Sequence, residues 1–237
     1  MSSKKLFHSS AYSDPQAAER LHNVLLKTFE SASEPAFTPF EVMMENLANS
    51  GRIQRHYTQN IDCRTTRLPS LAEKTVWLHG RLDKLRCHIN PEHTKEVNPK
   101  SFPQWILQEC PMCEETNEKR RADNKRPRSV GVFRTDVLLY DERSPHESEI
   151  EVAFDNDIKR PVDTIMIVGT RLEIDSLRTF VKDMCRSAEL AKRDILTIWV
   201  SKERQKYGRS LGFVLNYEYI GDCDEFASLL MEETRKS

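Results

Sequence analysis

Four polar side chains stand close together at Thr58, Gln59, Asn60 and Asp62, and a histidine follows at His79. The two amides and the carboxylate suit a carboxamide and ribose hydroxyls. They also suit a plain turn, since Asn and Asp close turns with their own side chains. His79 titrates where proton transfer near neutral pH needs a base. Gly80 behind it lacks a Cβ, so backbone there can approach a ligand. A lone histidine after a strand is more often structural than catalytic, and His79 takes its weight from its neighbours.

A second constellation is built on sulfur. Cys110-Pro-Met-Cys113 puts two thiols on one knuckle, the arrangement that tetrahedral zinc uses, and Cys87 supplies a third. Position 90, where a fourth cysteine would complete a second pair, is Asn90. His88 is taken as the fourth ligand, with His93 the other candidate; a module with free thiols is the alternative. The segment between Cys87 and Cys113 has prolines at 91, 99, 103 and 111 and little apolar content, so a metal would give it something to fold around.

The elements that must position these groups follow from periodicity. Asp14-Pro15 and Thr38-Pro39 are cap-plus-proline starts, predicting amphipathic helices over about 15–30 and from 38 to a stop at Gly51. Ser31 to Phe37 reads as a loop. Short strands are predicted at 53–58 and 76–78. Glu114 to Arg128 reads as a mobile charged loop, 130–140 as a strand, and 141–159 as irregular. The Thr164–Thr170 stretch is apolar without alternation, as in a strand buried on both faces of a parallel sheet. A helix over 175–190, a strand over 195–200, an edge strand over 217–220 and a helix over 222–234 complete an α/β alternation. Gly169-Thr170 then closes a parallel strand, a usual nucleotide position.

Composition limits the function classes. Net charge is −1, from 36 Lys+Arg against 37 Asp+Glu, with 38% hydrophobic and 31% charged residues. Such balance gives no global drive toward nucleic acid or anionic membrane, and any such contact needs a local patch. One candidate patch is Lys119-Arg120-Arg121 with Lys125-Arg126 and Arg128: an import signal, a phosphate contact or a solvated loop. No apolar run approaches a membrane span, and Met1-Ser-Ser-Lys-Lys opens no signal peptide, so the chain reads as soluble and intracellular. The usual glycine-rich phosphate loops are absent from its 7 glycines.

Taken in order, these stretches resemble the sirtuins, NAD-dependent protein deacylases. Tyr57-Thr58-Gln59-Asn60-Ile61-Asp62 matches the family's TQNID box and Leu78-His79-Gly80 its catalytic HG. Cys87, Cys110 and Cys113 fall in its zinc module. Arg134 to Glu142 resembles its substrate strand, Val168 to Leu172 its VGTSL, Trp199 to Glu203 its [IV]N-x-E strand, and Gly221-Asp-Cys-Asp its closing GDCD. The resemblance implies an α/β fold with a parallel Rossmann-like sheet flanked by helices and a small inserted zinc-ribbon-like module. It places the NAD-binding domain at 6–80 and 130–234 and the zinc module with its basic loop at 81–129. His79 would be the general base. Gln59, Asn60, Ile61 and Asp62 would hold the nicotinamide ribose and carboxamide. Gly169, Thr170, Ser201, Lys202, Glu203 and Cys223 would line the adenosine half, and Arg171 would reach the pyrophosphate. Val137, Leu139, Tyr140 and Glu142 would meet the acyl-lysine peptide as an added strand. The form of that strand is similar to the nuclear, histone-directed branch, which implies a histone substrate and a nuclear location, with the cytoplasm as alternative. No membrane contact and no direct nucleic-acid contact is expected.

The family's opening GAGIS-x-x-[AS]-GIPDFR segment has no counterpart here. The expectation is that the chain begins inside the family's domain at Leu6-Phe7, and that the missing phosphate loop impairs NAD binding. The alternative is an inactive relative or fragment that binds a peptide or partner. Four smaller departures are Cys63 and Asp141 where the family has glycine, Arg171 where it has serine, and Ser201 where it has asparagine.

Overall fold

The computed structural model describes residues 6–33, 36–101, 107–191, 194–204 and 212–236. Met1–Lys5 and Pro103, used in the sequence reading, lie outside them. The strands are β1 His56–Thr58, β2 Thr75–Trp77, β3 Gly80–Cys87, β4 Thr94–Glu96, β5 Phe133–Val137, β6 Thr164–Val168, β7 Leu196–Ser201 and β8 Tyr217–Ile220. The chain divides into two compact units. One takes Met1–Pro35, Tyr57–Arg67 and Thr75–Ser148; the other takes Ala36–His56, Leu68–Lys74 and Glu149–Ser237.

The first unit is built on an antiparallel sheet of order β4-β3-β5. Phe133 faces Cys87 at one end of the β3–β5 ladder and Val137 faces Gly80 at the other. Between Arg81 and Leu85 the register shifts, so Leu82, Asp83 and Lys84 bulge from the ladder. Bulges redirect a strand, and this one brings Leu82 N–H to the Ile61 carbonyl at 3.0 Å. The amphipathic helix Pro15–Ser33 packs Leu21 and Leu25 against Leu82, Leu85 and Phe133. Full burial of such side chains stabilises by roughly 1.5–3 kcal/mol each.

The second unit holds the parallel sheet, in order β6-β7-β8, with Ile165 beside Thr197 and Val200 beside Tyr219. Trp199 is fully buried with Ile165, Ile167, Val181 and Cys185, the last two from the helix Asp175–Leu190. Thr38 and Glu41 form a capping box at the start of the helix Pro39–Asn49, as the cap-plus-proline pattern implies. Buried Asp157 accepts from Arg55 Nε and Nη2, at 2.7 and 3.1 Å.

Four stretches differ from the sequence reading. Glu114 to Arg128 is not a loop throughout: Pro111–Ala122 is a helix. Within 141–159, Glu147–Asp157 is also helical. The stretch from Gly80 to Cys87 is a strand that the sequence hid, because its charges pair within the fold: Arg81 binds Asp83, and Arg86 binds Glu142 and Asp136. The first helix runs on to Ser33, into the expected loop.

Each unit holds a half-buried histidine in neutral form. Burial lowers His22 in the first and His56 in the second to about 4, from 6.5. A depressed histidine pKa gives stability that is complete above the unfolded value and declines as pH falls from about 6.5 toward 4. The thermal midpoint is expected to be flat above pH 7 and to drop between pH 6.5 and 4.5. Scanning calorimetry checks this, and His22→Gln makes the drop shallower.

Candidate functional site

The residues Thr58 to Asp62 and His79 are tied together by backbone. Leu78 N–H donates to the Thr58 carbonyl at 2.9 Å and Leu82 N–H to the Ile61 carbonyl at 3.0 Å, so the two motifs bracket each other. Thr58 is buried and its hydroxyl accepts the Asn60 N–H at 3.1 Å. Asp62 Oδ1 accepts the Arg64 N–H at 3.1 Å, the Asx turn that its residue type favours. Asn60 is exposed, Gln59 and Asp62 are half-buried, and Asp62 opens onto a shallow cleft lined also by Lys27, Thr28 and Arg64.

His79 is half-buried. Burial pushes its pKa below the ordinary 6.5, while a hydrogen bond to the Gln59 backbone pulls the other way. The ring is therefore neutral at pH 7, the form that accepts a proton. Gly80 has a packing role. Its φ is +78°, and a Cβ there would lie 1.8 Å from the Asp136 carbonyl oxygen. The glycine lets β3 close on β5, and this fixes where His79 leaves the strand.

The substrate-strand residues are distributed unevenly. Val137 and Leu139 are core residues, while Tyr140 is 53% exposed. Glu142 receives Arg134 at 2.6 Å and Arg86 at 3.1 Å. The Tyr140 N–H donates to the Phe7 carbonyl at 2.8 Å, and its carbonyl accepts the Ser9 N–H at 3.4 Å. The Leu139 carbonyl accepts the Glu142 N–H at 3.3 Å. Backbone at 139–140 is thus already paired, so an added strand there would have to displace residues 7–9.

In the second unit, Gly169 ends β6 at φ +64°, with no atom within 4 Å of its Cβ position, so the strand end is open. Its N–H donates to the Val200 carbonyl at 3.0 Å. Thr170 Oγ1 accepts the Leu172 N–H at 3.2 Å, and Arg171 is exposed beside Glu173. The Ser201 hydroxyl donates to the Glu203 carbonyl at 2.8 Å, and exposed Lys202 lies 2.9 Å from Asp222. Cys223 is half-buried, and burial followed by the charges of Asp224 and Asp222 raises its thiol. Asp224 accepts the Phe40 N–H at 3.0 Å, which gives the last residue of Gly221-Asp-Cys-Asp a structural duty at the start of the helix Pro39–Asn49.

Cys87, His93, Cys110 and Cys113 form a four-donor cluster whose ligand atoms all lie within 4.8 Å of one another. Cys87 and Cys113 sulfurs are 3.7 Å apart, and His93 Nδ1 is 3.5 Å from Cys110 and 3.4 Å from Cys113. Tetrahedral bonds of about 2.3 Å to sulfur and about 2.0 Å to nitrogen imply edges of about 3.8 and 3.5 Å, so the donors fit zinc. His88 is not among them; its Nδ1 accepts the Val132 N–H at 2.9 Å, which corrects its assignment as fourth ligand. The turn after β3 explains the exchange, since the His93 carbonyl accepts the Cys87 N–H at 2.9 Å. Asn90 holds the far ring nitrogen of His93 at 3.0 Å. Burial lifts Cys110 to about 11, and a divalent ion among the thiols would reverse this. Sequence reasoning missed Gly131, where a Cβ would lie 2.2 Å from the Cys87 sulfur.

A parallel nucleotide-type sheet in one unit, and a Cys3His cluster at the end of an antiparallel sheet in the other, define an α/β protein with a zinc module. The family model described as the Sir2 family matches residues 2–176. The chain belongs to the Sir2 family. It is 30% identical over 96% of its length to the NAD-dependent protein deacetylase hst4 of Emericella nidulans, covering 40% of that protein. It is 29% identical over 97% of its length to the NAD-dependent histone deacetylase HST4 of Saccharomyces cerevisiae, covering 66% of that protein. The chain thus spans 40 to 66% of these two relatives. A Sir2 bound to acetylated peptide shares the fold at a TM-score of 0.70 and 19% identity, over 99% of this chain and 85% of that one. A mutant Sir2 homologue in complex with ADP ribose does so at 0.69 and 18%, over 99% and 81%.

Zinc analysis of the purified chain is expected to give about one ion per chain. His93→Ala lowers that content, whereas His88→Ala leaves it unchanged. Gly80→Ala is expected to lower the thermal midpoint by several degrees, since the clash is with backbone that cannot rotate away.

Proposed function

We propose that this chain carries the catalytic machinery of a sirtuin-type NAD-dependent lysine deacylase acting on histone-like acetylated peptides in the nucleus. The observation that carries the reading is His79: a half-buried, neutral imidazole hydrogen-bonded to the backbone of Gln59, inside the bracket that also fixes Asn60 and Asp62. Family membership supports it, as do relatives whose names state NAD-dependent and histone deacetylation. NAD, when bound, supplies the ADP-ribose that accepts the acyl group as nicotinamide leaves.

In the first unit, Gln59, Asn60, Ile61 and Asp62 take the carboxamide and the nicotinamide ribose, and His79 takes the proton from a ribose hydroxyl. Tyr140, exposed beside buried Val137 and Leu139, offers the peptide a surface, and Glu142 positions that turn through its arginines. In the second unit, the open end of β6 at Gly169-Thr170, with Arg171, Ser201, Lys202, Glu203 and Cys223, takes the adenosine half. The guanidinium of Arg171 pairs with phosphate. Zinc on Cys87, His93, Cys110 and Cys113 is structural, because four protein donors leave no open position for substrate. A second reading, peptide binding without turnover, is favoured by Arg171 and Ser201 on the adenosine side, where the family pattern has serine and asparagine.

Nicotinamide release from NAD in the presence of an acetyl-lysine histone peptide separates the two. Turnover is expected, and its absence despite peptide binding would favour the second reading. His79→Ala is expected to lower kcat by about 100-fold or more, the usual worth of a positioned base. Because burial depresses the His79 pKa, the acidic limb of kcat/KM falls below pH 6.5. A limb at or above 6.5 contradicts the assigned base.

A further inference from the structure

Residues 119–128 carry Lys119, Arg120, Arg121, Lys125, Arg126 and Arg128 against a single acid, Asp123. Such a run is commonly a solvated loop, but here it is a closed turn. The helix Pro111–Ala122 begins at two cysteines of the metal cluster and ends in a reversal at Asn124, whose φ is +56°. Lys125 N–H donates to the Arg120 carbonyl at 2.7 Å, and Asn124 N–H to the Arg121 carbonyl at 3.0 Å. Asn117, only 3% exposed, then grips Arg128 twice: its amide nitrogen donates to the Arg128 carbonyl and its oxygen accepts the Arg128 N–H, both at 2.7 Å. Arg120 Nε donates to the Arg126 carbonyl at 2.8 Å. The returning segment is therefore held along the last turns of the helix, which fixes the backbone that carries the cations.

The helix dipole accounts for Lys119, Arg120 and Arg121 at a helix C-terminus. It does not account for Lys125, Arg126 and Arg128, which lie beyond the helix and are exposed. Two ion pairs are present, Lys119 with Glu115 at 2.7 Å and Lys125 with Asp123 at 2.9 Å. All four side chains are more than half exposed, so these pairs are weak and exchange readily for another anion.

We propose that this turn binds duplex nucleic acid through its phosphate backbone, without reading sequence. Guanidinium groups pair bidentately with phosphate, and several on one turn match a closely spaced row of charges. The stretch 111–128 contains no aromatic residue, so it has nothing to stack on unpaired bases. Its exposed part also lacks the aromatic or aliphatic anchor that centres a protein–protein hot spot. The near-neutral whole chain adds no diffuse attraction, so the contact is confined to this patch.

Anisotropy of a labelled duplex of about 20 base pairs, titrated with the zinc-loaded chain, tests the proposal. With three to four phosphates neutralised, affinity is expected to fall on the order of 100-fold between 50 and 200 mM salt, equally for scrambled sequences. The double variant Arg121→Glu/Arg126→Glu is expected to bind at least about tenfold more weakly, with zinc content and thermal midpoint unchanged. Arg126→Gln, a milder change, lowers the salt slope by about one. The proposal is overturned if the chain does not bind duplex at 50 mM salt or if the charge variants bind as the parent does. Tighter binding to a single strand of equal length would overturn it too. So would capture of polyglutamate in preference to duplex, which would point instead to an acidic protein surface.

Discussion

The carboxylate of Glu142 lies between two largely buried guanidiniums, Arg86 on β3 and Arg134 on β5. Much of the first unit depends on this contact. Burial, and then the neighbouring charge of Arg134, push Arg86 toward losing its proton; Glu142 and Asp136 hold the charge in place. Asp136 in turn receives His146 at 2.8 Å, and the Arg134 guanidinium stacks over Tyr12. Removing one member would strand the others as uncompensated buried charge, which costs about 3–5 kcal/mol. The network thus joins β3, β5, the turn at 138–142 and the N-terminal segment through a single set of charges.

β3 carries the consequences to both of its ends. At one end Gly80 presses on the Asp136 carbonyl and aims His79; roughly 20 Å away, Cys87 enters the metal cluster. Strain sits at the margins of this ladder. Cys63 and Asp141, the two positions where the family pattern has glycine, both adopt left-handed φ, at 64° and 70°. For a non-glycine residue this costs roughly 1–2 kcal/mol. Each is held by its surroundings: Cys63 by burial in the core, and Asp141 by the Ser9 N–H and hydroxyl at 3.2 and 2.8 Å. Both positions thus keep a backbone conformation that glycine would adopt without strain.

The parallel half of the fold was legible because its physics is local. An unalternating apolar run such as Thr164–Val168 marks a strand of a parallel sheet, although its burial alternates, with Ile165 and Ile167 buried and Met166 and Val168 half-buried, and cap-plus-proline starts mark helices from nearest neighbours. The Thr58–Asp62 and His79 stretches stood out in the sequence for the same reason, being short and ordered. What escaped was set by partners distant in sequence. Gly80–Cys87 reads as charged because Arg86 finds Glu142 from 56 residues away. His93 displaced His88 through a turn that alternation does not encode, and Gly131 matters only once β3 has placed the Cys87 sulfur. The helix Pro111–Ala122 looked like a loop because its sequence is almost wholly polar. Its order comes from the cysteine cluster at one end and the Asn117 clamp further along.

A buried ionic network is a poor source of net stability, since well-packed apolar side chains of similar volume often do as well or better. Its use here follows from geometry. The β3–β5 ladder contains a three-residue bulge, and a bulged ladder has several nearly equivalent registers if only apolar faces define it. Arg86 and Arg134 face each other directly across the ladder, and both reach the same carboxylate, which only one register permits. That register also puts Gly80 opposite Val137, the alignment in which the missing Cβ is needed. Charge pairing specifies the register, and the glycine makes it sterically possible. Together they explain why His79 is placed by a strand whose own sequence has so little of the character of a strand.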